Sequence, residues 1–139
     1  MAPKLAAVGI GVTSLDRSKT FYTTLLPHLT HTATFNVPAF SEYVLSSPTG
    51  AAIVLMQYPA TAKPPRTVVN SGGKLVFYVE DVGKQMQIAR GMGAKVVLDS
   101  TTGEGGGTFG TYEAIGMCLD PDGFLVEFLP VPKPVRAKV

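Results

Sequence analysis

The chain has no tryptophan and one cysteine, and Asp, Glu, Lys and Arg together make up only 16% of its 139 residues. A lone cysteine, Cys118, cannot close an internal disulfide, so a reducing compartment is the natural setting. No apolar run reaches the roughly 20 residues of a membrane-spanning helix, which argues against a membrane partner. The start Met1-Ala2-Pro3-Lys4 lacks the long apolar core of a signal peptide, and a cytoplasmic location is expected. The formal net charge is only +2, with Lys and Arg scattered rather than clustered. That excludes the basic run of a nucleic-acid binder and favours a neutral or anionic small ligand.

What is present is apolar: 45% of the residues, enough for one globular domain with a substantial core and too few for two independent ones. That content is arranged as a repeat. Asp120-Pro121-Asp122-Gly123 followed by Phe124-Leu125-Val126-Glu127-Phe128 has a blurred copy in Ser47-Pro48-Thr49-Gly50 followed by Ala51-Ala52-Ile53-Val54-Leu55. Residues 7–16 recur at nearly the same step as residues 74–83.

Each copy opens with an alternating strand, 5–12 and 74–80, and passes into a helix capped by Ser14 or Asp81. Leu15, Tyr22, Leu25 and Leu26 give the first helix its apolar stripe, which Pro27 ends. Val82, Met86 and Ala89 do the same for the second, which stops near Gly91 to Gly93. Further strands are expected at 29–35, 40–46 and 51–57, and at 94–99, 111–118 and 124–129. The organisation is therefore a first unit over about 4–58, a linker over about 59–73, a second unit over about 74–130 and a proline-rich tail over 131–139. The class is α+β: two tandem βαβββ units whose curved sheets surround a cavity.

Three segments give this plan a family likeness. They are Gly9-Ile10-Gly11-Val12 with Leu15-Asp16-Arg17-Ser18 and Phe21-Tyr22, then Val76 through Val82, and then Asp120-Pro121-Asp122-Gly123 with Glu127-Phe128. Over about residues 5–129 the chain resembles the vicinal oxygen chelate superfamily of glyoxalases, extradiol dioxygenases, epimerases, fosfomycin-modifying enzymes and bleomycin-binding proteins. The resemblance implies a metal site with one ligand from the first strand and one from the last strand of each unit, commonly His or Gln and then Glu. Those positions here are Ala7, Val54, Lys74 and Glu127. Two have no donor atom and a third is a cation, so the expectation is no metal and no cofactor.

If the four positions converge as they do in relatives, Lys74 and Glu127 approach one another on the cavity floor. Two readings stay open: a buried ion pair, or a catalytic pair in which Lys74 orients a ligand oxygen or stabilises an enolate while Glu127 moves a proton. Strand parity puts Ala7, Gly9, Gly11, Val54, Met56, Tyr78, Leu125 and Leu129 on the same faces as this pair. The small residues of the first strand leave room for a bulky ligand, and the apolar ones supply contact. His31 is added as a candidate for the cavity wall. His28 reads as a turn residue, Cys118 as an inert core thiol, and residues 103–107 as a mobile flap rather than a phosphate loop. Tyr43, Tyr58, Tyr112 and Glu113 are candidates for the mouth.

The expected function is a metal-independent isomerase, lyase or cyclase acting on a carbonyl-bearing small molecule, with a drug-sequestering binding protein as the alternative. Bleomycin itself is disfavoured, because a cationic drug calls for an acidic groove. Sheet edges and the apolar stretch around Val37 to Phe40 need cover, so a homodimer is expected.

Overall fold

A computed structural model describes residues 2–3, 5–61, 73–106 and 112–132. The residues group into two compact units: Met1–Ser71 with Pro121–Gly123, and Gly72–Asp120 with Phe124–Val139. Most of the expected linker and nearly all of the tail lie outside the described residues.

The first unit runs β1 (Ala7–Gly11), α1 (Leu15–Leu25), β2 (Thr30–Val37), β3 (Phe40–Ser46) and β4 (Ala52–Gln57). Its sheet order is β1-β4-β3-β2, with β1 parallel to β4 and the other pairs antiparallel. Helix α1 starts where Ser14, in extended backbone, accepts the Arg17 N–H with its hydroxyl. It ends as Leu26 returns its N–H to the Tyr22 carbonyl, one residue before Pro27. Tyr22, Leu25 and Leu26 pack the helix against Ile10, Leu45 and Leu55, all buried. Only the Ser18 hydroxyl, among described buried side-chain polar atoms, lacks a partner.

This unit takes in one stretch from far along the chain, which the expected boundary at about residue 58 leaves out. Asp122, in the turn Pro121–Gly123, accepts the Thr13 hydroxyl at 2.6 Å, the Thr13 N–H at 3.2 Å and the Arg17 guanidinium at 3.1 Å. Its carboxylate thus sits at the amino-terminal end of α1, where a negative charge is favoured by the helix dipole.

The second unit runs β5 (Lys74–Val79), α2 (Val82–Gly91), β6 (Val96–Asp99), β7 (Gly116–Leu119) and β8 (Leu125–Pro130), in sheet order β5-β8-β7-β6. Asp81 caps α2 by accepting the Lys84 N–H at 2.9 Å. The helix closes through Gly93, at φ +76°, and Ala94, whose N–H returns to the Ala89 carbonyl. That closure delays β6 to Val96. Strand β7 starts at Gly116: residue 111, its expected start, lies outside the described residues, and just before the strand the Ile115 N–H goes to the Ser100 hydroxyl instead of a ladder partner. A Cβ at Gly116 would lie 2.6 Å from Met86 Cγ, so the bare glycine is what lets α2 sit this close to the sheet. Met86, Ala89, Cys118, Val126 and Phe128 form the core beneath it.

Among the described residues, no helix is long and apolar enough to cross a membrane.

Candidate functional site

In each unit the helix covers one sheet face, and the expected site residues divide according to the other. In the second unit, β5 pairs with β8 so that Val76 stands opposite Glu127 and Tyr78 opposite Leu129. Leu75, on the helix side, is buried, whereas Lys74, Val76 and Tyr78 alternate with the helix-side residues and are exposed. Glu127 shares their face but lies on an inner strand, between Val76 of β5 and Met117 of β7, and only 5% of its side chain is accessible. The Lys74 ammonium donates to Glu127 Oε2 at 2.6 Å, with about half of the lysine side chain still open to solvent.

The pair therefore forms as the family likeness implies, and its two members have different surroundings. The carboxylate is held in place by the sheet, and the cation reaches over it from an edge strand. Around them are Val76 at 46% and Tyr78 at 62% exposure, with Leu125 half-buried and Leu129 buried. An anchored carboxylate, a reachable ammonium and an apolar surround can hold an oxygen and exchange a proton beside it.

In the first unit, β1 pairs with β4 so that Gly9 stands opposite Val54 and Gly11 opposite Met56. Ala7, Gly9, Gly11, Val54 and Met56 do share the face away from α1. The space above Gly9 is nevertheless partly taken: a Cβ there would stand 3.0 Å from Met56 Sδ. The expectation of open room along β1 is corrected accordingly, since the thioether folds over the glycine that has no side chain to exclude it.

His31 lies on the other face. It pairs with the buried Leu45, and its ring stacks against Tyr43 at 4.3 Å between centroids. Tyr43 in turn donates to Asp16 of α1 at 3.0 Å, and that hydrogen bond, with some desolvation, holds its phenol above the usual range. The cause of the reversal is a bulge between His31 and Ala33, which breaks strand parity and turns the histidine toward the helix. Its Nε2 is within hydrogen-bond distance of the Ala33 carbonyl and the Thr34 hydroxyl. Tyr43 accordingly leaves the set of mouth candidates as well.

Cys118 is fully buried, and desolvation with the nearby Asp120 pushes its thiol up to about 11, far from a nucleophile's range. The described part of the glycine-rich stretch is anchored rather than free. The Glu104 carbonyl accepts the Asp99 N–H, and its carboxylate takes Arg90 at 2.6 Å. Arg90 also donates to Asp99 at 2.7 Å. Burial pushes the Asp99 carboxyl up, but the Thr101 hydroxyl and N–H and the Arg90 guanidinium outweigh it and hold the group below the usual carboxylate range. This cluster escapes sequence reading, although its members all lie within residues 90–104, because they match no motif.

The four positions that the family likeness makes metal ligands offer a single carboxylate, Glu127, already engaged by an ammonium. Among the described residues, no group of three or more His, Cys, Asp or Glu side chains is placed to hold a metal ion. The residues present do not fit one.

Solved structures confirm the fold. A glyoxylase/bleomycin resistance protein/dioxygenase domain from Frankia sp. EAN1pec superposes with a TM-score of 0.72 at 18% identity, covering 95% of this chain and 100% of its own. The trypanothione-dependent glyoxalase I of Leishmania major gives 0.72 at 19% identity, covering 93% and 87%. The genomically encoded fosfomycin resistance protein FosX of Listeria monocytogenes gives 0.68 at 16% identity, covering 99% and 98%. No curated protein sequence matches the chain significantly. Residues 4–128 match the family described as the Glyoxalase/Bleomycin resistance protein/Dioxygenase superfamily, and the chain belongs to it.

Proposed function

We propose that this chain is a metal-independent enzyme of its superfamily, an isomerase, lyase or cyclase acting on a small, neutral or anionic, carbonyl-bearing molecule. The observation that carries the reading is the 2.6 Å contact between a half-exposed Lys74 and a nearly inaccessible Glu127 on an otherwise apolar face. An ionisable pair in such a place costs desolvation that a passive apolar binding surface does not need.

Lys74 has N–H donors beyond the one given to Glu127, and these hold the substrate's carbonyl oxygen. The Glu127 carboxylate takes a proton from the adjacent carbon, and the C–H electron pair moves into the carbonyl to give an enolate, stabilised by the ammonium. Glu127 then returns the proton to the far carbon of a conjugated enolate, or the enolate expels a leaving group from its β-carbon. Val76, Tyr78 and Leu125 supply apolar contact for the rest of the molecule. The chain works in the cytoplasm as a homodimer, with no membrane or nucleic-acid partner.

Binding without turnover is the second reading, and a specific contact favours it: Glu127 Oε2 is already occupied by Lys74. Deuterium wash-in separates the two. Small ketones and 2-oxo acids incubated with the protein in D2O should exchange a proton next to the carbonyl. The Glu127→Gln protein should exchange roughly 100-fold more slowly. Ligands that bind this face with no exchange in any of them would establish the binding reading instead.

A further inference from the structure

A cavity lies wholly within the first unit, on the helix-covered face of its sheet and at the amino-terminal end of α1. It is an open hollow of about 310 Å³, and no charged residue lines it. Its floor is a row of three neutral polar side chains on adjacent strands: Asn36 of β2 pairs with Ser41 of β3, which pairs with Gln57 of β4. At about 4.8 Å between strands, the row spans roughly 10 Å.

Gln57 is oriented by the helix. Its Oε1 accepts the Leu15 N–H at 3.1 Å, leaving the NH2 as a donor. No hydrogen bond joins the Asn36 or Ser41 side chain to another described residue. The walls are apolar, made by Leu15, Val37 and Pro38 together with Phe40 and Tyr58, whose rings meet edge to face at 5.9 Å between centroids. Tyr43 contributes its ring, since its hydroxyl is committed to Asp16.

We infer that this cavity is a second small-molecule site, separate from the Lys74–Glu127 face, and that it takes a planar, neutral heteroaromatic ligand with a lactam or amide edge. An uncharged row of alternating donors and acceptors about 10 Å long matches the polar edge of a fused bicyclic ring. Aromatic side chains at the walls match its faces and apolar rim. A charged ligand finds no counter-charge here, and a wholly apolar one leaves Asn36, Ser41 and the Gln57 NH2 desolvated without partners.

The test uses hypoxanthine as the probe and indole as a comparator of similar shape that lacks the carbonyl edge. In 15N–1H spectra of the full chain, hypoxanthine should shift the side-chain NH2 signals of Asn36 and Gln57 saturably, with a Kd of about 1 mM or tighter. Asn36→Leu and Ser41→Val should each weaken it at least about fivefold, while Lys74→Met leaves it unchanged. Intermolecular NOEs from the probe to the Phe40 and Tyr58 rings of the unsubstituted protein give a readout independent of how well the variants fold. The inference fails if no saturable shift appears by about 10 mM, if indole binds equally well, or if the probe's NOEs fall on Val76 and Tyr78.

Discussion

Breaking the Lys74–Glu127 pair from either side should have unequal consequences, because its members are unequally buried. A fully exposed pair contributes about 0.2 to 1 kcal/mol, whereas removing one partner of a fully buried pair costs about 3 to 5 kcal/mol. Here the lysine side chain is 47% accessible and the glutamate 5%. Lys74→Met strands a carboxylate between Val76 and Met117, and it should cost about 2 to 3 kcal/mol. Glu127→Gln leaves an ammonium that can swing into water and a neutral amide of the same shape, and should cost only about 1 kcal/mol.

The double substitution removes the stranded charge along with its partner, so its cost should fall short of the sum of the singles by about 1 to 2 kcal/mol. Urea denaturation at pH 7 reads all three differences, and with the carboxylate inaccessible much of the coupling should survive added salt. Deuterium wash-in on the same proteins separates chemistry from stability: Glu127→Gln should be nearly as stable as the parent and about 100-fold slower. The reasoning is refuted if Glu127→Gln is the more damaging single change, or if the coupling is below about 0.5 kcal/mol. A well-folded Glu127→Gln protein with full exchange refutes the general-base role.

Metal analysis of the purified protein should find no stoichiometric zinc, iron, nickel or manganese, and chelators should leave ligand affinity unchanged. One tightly held metal per chain, lost together with function, would overturn the metal-independent reading. Light scattering at micromolar concentration should give twice the 14.7 kDa chain mass, and a clean monomer would count against the homodimer. Asp99 should tie stability to acid pH. Its folded-state carboxyl lies below the ordinary range, so the stabilisation is complete above about pH 4 and is lost as pH falls through the depressed value. The stability gap between the parent and Asp99→Asn, measured by urea midpoint, should therefore narrow on acidification, and a gap that is constant or widens would remove Asp99 from this role.

Alternation, caps and punctuation are local properties, and they made the two βαβββ units legible. Ser14 and Asp81 cap the helices as read, and the ligand positions implied by the family likeness placed Lys74 and Glu127 on one face. What escaped depends on a residue out of register or on distant contact. A single bulge reverses His31, and nothing in Thr30-His31-Thr32-Ala33 announces it. The early start expected for β7 missed the hydrogen bond between Ile115 and Ser100, which are 15 positions apart. A glycine reads as open space until the side chain that folds across it is known, as Met56 does over Gly9.

The placement of Asp122 bears on how the chain is made. The first unit's strands and helix are all encoded before residue 58, yet the carboxylate that takes Thr13 and Arg17, that of Asp122, is translated about 65 residues later. At about 5 to 20 residues per second, that carboxylate is added to the growing chain roughly 3 to 13 s after the rest of the unit. During synthesis the first unit exists as an unfinished form in which Ser14 caps the leading helix but Thr13 and the Arg17 guanidinium lack the Asp122 carboxylate. A ribosome stalled before residue 122 would hold the chain in that form.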